Sequence, residues 1–328
     1  MKALIVDNSG TDPVMKMGEH PTPEHGESEL FVKIKATALN RADLMQKAGK
    51  YPPPEGESPI LGLEMAGTVI SAGSKVSKFK KGDRVYGLLG GGGYAEYCVI
   101  HEDLAMPIPD NLSFEEAAAI PEVFLTAYQA ISWLGELKQN ETILIHAGAS
   151  GVGTAAIQIS KKLYNAKIAV TAGSDKKLKL CESLGADLLV NYKKADYSER
   201  IKSNFGKNKI NLILDFVGAP YWFKNIDVLS TDGCIVYLAM LGGTKIDNMS
   251  LVPILRKRIT IKGSTLRNRP LEYKIRLVSD FQAHVSKYIG SGDIHPVIHS
   301  TYDWHQAEEA HQLMGNNQNA GKIILTGM

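Results

Sequence analysis

The middle of the chain alternates short apolar runs, rich in branched residues, with segments that have the apolar spacing of helices. Such alternation is typical of parallel strands that helices cover on both faces. The six runs begin at Ile143, Lys167, Asp187, Ile210, Gly233 and Ile259. Six strands within about 120 residues predict one α/β domain with a doubly wound six-stranded parallel sheet of the Rossmann type.

The chain before Phe114 has short segments in which apolar and polar residues alternate, broken by Gly, Pro and Asp. This pattern predicts a small antiparallel β-barrel, with strands at Leu30–Lys35, Ala66–Ile70, Asp83–Tyr86 and Tyr94–Ile100. After Lys262 we expect a long helix over 271–289, a strand at His295–His299, a helix that Asp303 opens and a closing strand at Gly321–Thr326. We interpret this tail as a return to the first domain, because it adds strands after the parallel sheet is complete.

The composition fits a globular protein of two domains, since the chain has 328 residues, 44% hydrophobic and 22% charged. A net charge of +2 without a long basic run gives no support to nucleic-acid binding. The first residues lack the hydrophobic region of a signal peptide, and no apolar run has the length of a membrane span, so we expect a cytoplasmic protein without a membrane partner. The three cysteines lie far apart and indicate neither a disulfide framework nor a clustered metal site.

The first apolar run of the middle region leads into a glycine-rich turn and then into a helix. The core of this turn is Gly148-x-Ser150-x-x-Gly153, so Ser150 stands where the commonest dinucleotide fingerprint has its second glycine. Glycines let the backbone approach a pyrophosphate, and the free N–H groups at the helix start face its negative charge. The predicted cofactor-binding residues of this turn are Gly148, Ser150, Gly151, Val152 and Gly153.

Several further motifs carry a resemblance to a known family. The segments Ala38–Leu44, Gly62–Val69, Lys81–Gly87, Gly93–Tyr97 and Phe124–Gln129 resemble the zinc-free quinone oxidoreductases of the medium-chain dehydrogenase/reductase superfamily. A second set is similar to one branch of them, the NADPH quinone reductases first described as tumour-suppressor-inducible; its segments are His146–Gln158, Thr171–Leu178, Asn191–Lys194 and Asn211–Asp215.

The resemblance implies a domain organisation and an assembly. It gives a GroES-like β-barrel substrate domain over 1–121, an NADPH-binding Rossmann domain over 122–264 and a C-terminal return to the substrate domain over 265–328. It also implies a homodimer, because the sixth strand would leave an open sheet edge, which proteins rarely leave unprotected.

The zinc-binding relatives in the superfamily use ligands that this chain lacks. Asn40 stands where they have a cysteine, and Leu63 stands where they have a histidine before Glu64. A catalytic zinc site needs three protein ligands, so we expect no metal. Without zinc, the substrate should accept hydride readily, as quinones and conjugated enones do.

The cofactor is expected to be NADPH. Enzymes that favour NAD usually carry an acidic residue at the end of the second strand, where this chain has Ala172 and Gly173. We interpret the nearby Asp175 as a helix cap. By resemblance, Ser174, Lys177 and Tyr192 hold the 2′-phosphate; the alternative makes Lys177 a solvated helix lysine and Tyr192 a strand-end aromatic.

The resemblance also assigns the reacting end. Tyr51 and Asn40 are the candidate catalytic residues, with the Tyr51 phenol as a hydrogen-bond donor. The alternatives are that Tyr51 is a loop aromatic beside three prolines and that Asn40 is a helix cap. The remaining candidate cofactor contacts are Thr126, Leu238, Met240, Leu266 and Arg267, with Lys322 as a weaker one. Thr126 has the alternative of bonding its own helix backbone.

These assignments predict an enzyme, an NADPH:quinone oxidoreductase that acts on a small-molecule quinone or enone. Two alternatives stay open at this point. One is the reduction of an enoyl thioester or an alkenal, and the other is a catalytically idle NADPH-binding protein that serves as a crystallin or a regulatory sensor. Intact cofactor motifs do not separate the three.

Overall fold

A computed structural model describes all residues from Met1 to Met328. The chain forms two compact units: unit 1 contains Met1–Leu125 and Leu266–Met328, and unit 2 contains Thr126–Thr265. The first division therefore falls inside the helix Pro121–Tyr128, a few residues after the boundary proposed from sequence.

The strands, in chain order, are β1 Lys2–Asp7, β2 Val14–Glu19, β3 Glu29–Ala38, β4 Glu64–Ala72, β5 Arg84–Leu88, β6 Tyr97–His101, β7 Ala105–Pro107, β8 Thr142–Ile145, β9 Lys167–Ala172, β10 Leu188–Asn191, β11 Ile210–Asp215, β12 Leu229–Tyr237, β13 Thr260–Gly263, β14 Ile298–Asp303 and β15 Lys322–Thr326. The α-helices are α1 Arg41–Lys47, α2 Phe114–Ala118, α3 Pro121–Tyr128, α4 Gly151–Tyr164, α5 Asp175–Ser183, α6 Tyr197–Phe205, α7 Trp222–Val228, α8 Val252–Lys257, α9 Leu271–Gly290 and α10 Ala307–Gly315. A π-helical segment, Gln129–Leu134, follows α3. None of the helices combines the length and the apolar character that crossing a bilayer requires.

Unit 2 is built on one parallel sheet with the strand order β10-β9-β8-β11-β12-β13. Its central strands are apolar on both faces, and Leu144, Ile213 and Ile235 have no exposed surface. The order reverses at β8, which places the turns after β8 and β11 at the switch point where open parallel sheets bind ligands. The predicted doubly wound six-stranded sheet is confirmed.

Unit 1 holds a separate sheet with the order β14-β15-β3-β4-β5-β7, in which β6 also pairs with β3. All its strand pairs are antiparallel except β14 with β15. Ile324 of β15 lies opposite Ala38 of β3, so the tail supplies a strand beside the segment that leads to Asn40. The antiparallel GroES-like domain is confirmed.

One predicted strand of the tail begins in the wrong place. The pattern predicts a strand at His295–His299, whereas β14 begins at Ile298. Pro296 lies inside the predicted range, and a proline cannot donate a ladder hydrogen bond. The strand therefore starts after it.

Candidate functional site

The glycine turn of unit 2 leaves no room for side chains at two of its positions. A Cβ atom on Gly148 would lie 2.9 Å from Cβ of Val170, and one on Gly153 would lie 2.6 Å from the carbonyl oxygens of Ala147 and Gly148. Ala147 adopts a φ of 50°, in the left-handed region that non-glycine residues seldom occupy. Strained backbone of this kind is found at ligand-binding turns.

Ser150 opens helix α4 as its N-cap. Its hydroxyl accepts the Gly153 N–H at 3.1 Å. The first N–H groups of a helix have no acceptor within the helix, so those of Gly151 and Val152 point out of its start and are available to an anion. The residue that replaces a fingerprint glycine thus caps the helix whose start is the predicted pyrophosphate site.

The end of β9 corrects one assignment. Ser174, and not Asp175, caps α5, since the Ser174 hydroxyl accepts the Lys177 N–H at 3.3 Å. The Asp175 carboxylate instead accepts from Lys194 Nζ at 2.6 Å and from Asn191 Nδ2 at 2.8 Å. The hydrogen bond from Lys194 holds the Asp175 pKa below its usual value. Both residue types suit a helix cap, and the chain uses the earlier one.

Of the three residues predicted to hold a 2′-phosphate, Ser174 and Tyr192 follow the neighbouring strands β9 and β10, and Lys177 lies in the first turn of α5. Tyr192 follows β10 and is 46% exposed, and its hydroxyl lies 2.8 Å from where a Cβ atom on Gly173 would stand. Only glycine at position 173 allows the phenol this close to the end of β9. Ala172, at the end of β9, brings no carboxylate there. The assignment of Ser174, Lys177 and Tyr192 to a 2′-phosphate stays a prediction.

A second loop of unit 2 follows β12 and carries Leu238 and Met240. The Leu241 N–H donates to the Phe216 carbonyl at 3.0 Å, and the Gly242 N–H donates to the Val217 carbonyl at 2.8 Å. The loop over 239–243 is therefore tied to the turn after β11. The Met240 side chain is 49% exposed and remains available for contact.

Unit 1 contains a buried ion pair that the sequence analysis did not identify. Glu64 has no exposed surface, and its Oε1 accepts from Lys322 Nζ and from Asn40 Nδ2, each at 2.7 Å. Lys322 Nζ also donates to the Leu39 carbonyl at 2.7 Å and to Asn40 Oδ1 at 2.8 Å. All three ammonium protons are thus used within unit 1, which leaves Lys322 no further proton to donate to a cofactor.

Asn40 is held on several sides. Its amide nitrogen donates to Glu64 and, at 3.2 Å, to the Ala38 carbonyl, and its backbone N–H donates to Asp43 Oδ2 at 2.7 Å. Asn40 is also the N-cap position of α1. Asp43 accepts from Gly62 N–H and Tyr94 OH as well, and burial raises its pKa to about 6.

Tyr51 lies half-buried beside groups whose hydrogen bonds are incomplete. The Arg267 guanidinium stands 5.4 Å from the centre of the Tyr51 ring, and Arg267 Nε donates to the Gly90 carbonyl at 2.8 Å. Both Nη atoms of Arg267 and the Oε2 atom of Glu122 are buried without a partner. Buried polar atoms are almost always paired, so such exceptions point to a ligand or an ordered water.

Glu122 is a further buried residue of unit 1 that the sequence analysis missed. Its N–H donates to Glu64 Oε2 at 2.8 Å. Burial, followed by the charge of Glu64, raises the Glu122 pKa to about 8. Burial also raises the pKa of Tyr51, and Glu122 adds to that shift. The signal in the sequence is a single carboxylate within the apolar run Ile120–Leu125.

The other predicted positions are described within their own units. Thr126 lies partly exposed on α3, in unit 2, and Leu266 is buried at 5% exposure in unit 1. No group of three or more His, Cys, Asp and Glu side chains in the chain has a metal-binding arrangement. The expectation of a metal-free enzyme stays a prediction.

Two family descriptions match the chain. Residues 26–110 match "Alcohol dehydrogenase GroES-like domain", and residues 151–283 match "Zinc-binding dehydrogenase". The first match lies in unit 1, and the second begins at the first residue of α4.

Known proteins of similar sequence and structure cover nearly the whole chain. The quinone oxidoreductase of Sus scrofa is 30% identical over 332 residues, which span 99% of this chain and 97% of the relative. The solved structure of Escherichia coli quinone oxidoreductase complexed with NADPH has a TM-score of 0.87 at 29% identity and covers 99% of both chains. A solved NAD-dependent alcohol dehydrogenase has a TM-score of 0.86 at 31% identity and covers 100% of both chains.

Proposed function

This chain belongs to the medium-chain dehydrogenase/reductase superfamily, among relatives of the quinone oxidoreductases, and we propose that it is an NADPH-dependent quinone oxidoreductase. The observation that carries the choice of cofactor is the set Ser174, Lys177 and Tyr192 around Gly173, with Ala172 in place of an acidic residue. This set suits a phosphate and would leave a ribose hydroxyl without its usual carboxylate partner.

The residues of unit 2 fit such a cofactor. The N–H groups of Gly151 and Val152 would bind its pyrophosphate, and Gly148 and Gly153 keep the space that a Cβ atom would fill. Lys177 would hold the 2′-phosphate as a point charge, with Ser174 and Tyr192 as hydroxyl donors. When bound, NADPH supplies a hydride to the substrate.

The residues of unit 1 orient the substrate in this proposal. Tyr51 donates a hydrogen bond to the substrate oxygen, which gains negative charge during reduction, and Arg267 fixes the Tyr51 ring from one side. Asn40 acts as a positioning residue, because Glu64 and Lys322 hold its amide. Solvent supplies the proton that completes the reduced quinone.

We expect activity to survive exhaustive chelation, and measured zinc to stay well below one per chain.

We also propose a homodimer. Strand β13 ends the parallel sheet of unit 2, so one edge of its backbone has no neighbouring strand. Exposed apolar side chains accompany this region: Leu251 is 68% exposed, Leu255 is 81% exposed and Ile261 is 40% exposed. Light scattering at micromolar protein should give twice the mass of the chain; a monomer would remove the claim.

A paired turnover assay tests the proposed function. NADPH oxidation is measured with a small aromatic quinone and, separately, with a crotonyl thioester. Faster turnover with the quinone supports the proposal. Faster turnover with the thioester favours an enoyl reductase, and no turnover with either favours an NADPH-binding protein without an enzymatic role.

A further inference from the structure

A buried polar chain of four side chains runs beneath the candidate cofactor turn of unit 2. Its members are Thr171 on β9, His146 after β8, Asn225 on α7 and Asp215 at the end of β11, and none is more than 1% exposed. The links are 3.0 Å from Thr171 Oγ1 to His146 Nδ1, 2.8 Å from His146 Nε2 to Asn225 Oδ1 and 2.7 Å from Asn225 Nδ2 to Asp215 Oδ2.

The direction of every hydrogen bond in this polar chain follows from Asp215. A carboxylate only accepts, so the Asn225 amide nitrogen donates to it and the Asn225 oxygen faces His146. That oxygen also only accepts, so His146 carries its proton on Nε2 and its Nδ1 accepts from the Thr171 hydroxyl. Burial lowers the His146 pKa, against the opposing charge of Asp215. The imidazole is therefore neutral.

Each end of the polar chain is hydrogen-bonded to one of the two loops that are assigned to the cofactor. At one end, the Thr171 carbonyl accepts the Gly148 N–H at 2.9 Å, and His146 immediately precedes the turn. At the other end, Asp215 Oδ1 accepts the N–H groups of Val217 at 2.6 Å and Gly218 at 3.0 Å.

The turn that Asp215 shapes carries the second loop. The carbonyls of Phe216 and Val217 accept the N–H groups of Leu241 and Gly242, and the Gly243 carbonyl accepts the Ala219 N–H at 3.0 Å. Gly218, at a φ of 87°, has no room for a Cβ atom, which would lie 2.6 Å from the Gly243 oxygen. A shift at Asp215 is therefore passed directly to residues 241–243.

We propose that Asn225 is a positioning residue, which through His146 and Asp215 sets the glycine turn and the 239–243 loop in one arrangement that receives NADPH. This inference rests on the proposed function for the identity of the ligand. The side-chain hydrogen bonds of Asn225 go to His146, Tyr197 and Asp215. It accepts from Tyr197 OH at 2.9 Å as well as from His146, so it joins α6, α7 and the ends of β8 and β11.

The test replaces Asn225 and compares the result with a core variant that breaks no hydrogen bond. The variants are Asn225→Leu and, as the control, Ile213→Val on β11, where Ile213 is fully buried. Two measurements are made on the full-length protein: amide hydrogen exchange at Leu241 and Gly242, and calorimetric binding of NADPH and of adenosine 2′-monophosphate, which has the 2′-phosphate but no 5′-phosphate for the glycine turn.

For Asn225→Leu we expect faster exchange at both amides and about tenfold weaker NADPH binding, the scale of one lost hydrogen bond to a charged group. Binding of adenosine 2′-monophosphate should change by less than about twofold, because Ser174, Lys177 and Tyr192 lie outside the polar chain. Ile213→Val should change neither the exchange at the two amides nor the ratio of the two affinities.

A second pair keeps the test decisive if Asn225→Leu does not fold. His146→Gln retains an N–H near the position of Nε2 and should preserve the slow exchange at Leu241 and Gly242, whereas His146→Leu should lose it. Equal weakening of NADPH and adenosine 2′-monophosphate, or unchanged exchange at the two amides in both Asn225→Leu and His146→Leu, would overturn the positioning role. If the unmodified protein binds no NADPH, the proposed function fails instead.

Discussion

Each unit buries a cluster of polar side chains, and the two clusters differ in how their hydrogen bonds are completed. In unit 2, one carboxylate, Asp215, receives two backbone N–H groups and the Asn225 amide, and no side chain of the chain Thr171–His146–Asn225–Asp215 has an unpaired polar atom. In unit 1, the ion pair of Glu64 and Lys322 is fully bonded, yet Arg267 and Glu122 keep buried atoms without partners.

The difference shows which buried polar atoms are paired within the protein and which are left for a ligand or a water molecule to pair. A saturated network fixes one backbone arrangement, which suits the proposed role of the turn in presenting N–H groups to a phosphate. Unpaired atoms are costly, so they persist where a bound molecule or water completes them. In unit 1 these atoms lie beside Tyr51, the candidate substrate contact.

The largest effect is expected when the ion pair of unit 1 is broken. Lys322→Met leaves the Glu64 carboxylate buried without its cation, and removing one partner of a buried pair costs about 3–5 kcal/mol in unfolding free energy. Urea denaturation measures this change. The control is Lys75→Met, whose pair with Glu27 has side chains 68% and 65% exposed and should show no measurable change. Equal stability of the two variants would contradict the account.

The two clusters should respond to pH in opposite directions. The Glu122 pKa is raised from 4.5 to about 8 in the folded protein, so its contribution to stability is complete below about 4.5 and is lost as the pH rises towards 8. The His146 pKa is lowered from 6.5, so its contribution is present above 6.5 and is lost as the pH falls. One pKa unit corresponds to about 1.4 kcal/mol, so the Glu122 shift amounts to a few kcal/mol of unfolding free energy over this pH range.

Two variants separate these slopes. In denaturation curves taken across pH, Glu122→Gln should flatten the loss of stability on the alkaline side and leave the acid side unchanged. His146→Gln should do the reverse. Wild-type slopes in both variants would show that other groups control the pH dependence.

A smaller effect is expected at the phosphate set of unit 2. Lys177→Ala should weaken NADPH binding by about 1.5–3 kcal/mol, roughly 10- to 150-fold, and leave NADH nearly unchanged. Titration calorimetry with both cofactors measures the difference. Lys176→Ala, one position earlier and exposed, is the matched control. Equal losses for NADPH and NADH in Lys177→Ala would remove the assignment.

The smallest effect is expected at Tyr51. If its phenol only orients the substrate, Tyr51→Phe removes one neutral hydrogen bond worth about 0.5–1.5 kcal/mol and slows turnover by no more than about tenfold. Delivery of a proton by Tyr51 in the slow step would instead cost about 10²- to 10⁴-fold and alter the alkaline limb of the pH profile. Steady-state kinetics across pH distinguishes these outcomes. A hundredfold loss of quinone turnover in Tyr51→Phe, with intact NADPH binding, would favour an enoyl reductase over a quinone reductase.

The parallel sheet and the glycine turn could be predicted because their signals are local. A branched apolar run marks each central strand, and the spacing from Gly148 to Gly153 is contained in six residues. The Ser174 cap was missed by one position, since Ser and Asp both favour that place and short-range pattern does not rank them.

The buried clusters could not be predicted, because they join residues far apart in sequence. Glu64 and Lys322 are separated by 258 positions, and they meet only because β15 pairs with β3 beside β4. His146 and Asn225 are 79 positions apart. A charged or polar residue in an apolar run signals that a partner is needed, and the sheet topology decides which residue it is.

The central claim is that this chain transfers hydride from NADPH to a quinone. Its most direct test is a single turnover without oxygen, in which the protein with bound NADPH is mixed with one equivalent of a small aromatic quinone and the absorbance of NADPH is followed. The account predicts that NADPH absorbance is lost only when quinone is added. When NADH replaces NADPH, the absorbance of NADH should be lost more slowly. Stable NADPH absorbance in the presence of quinone, with NADPH shown to be bound, would contradict it.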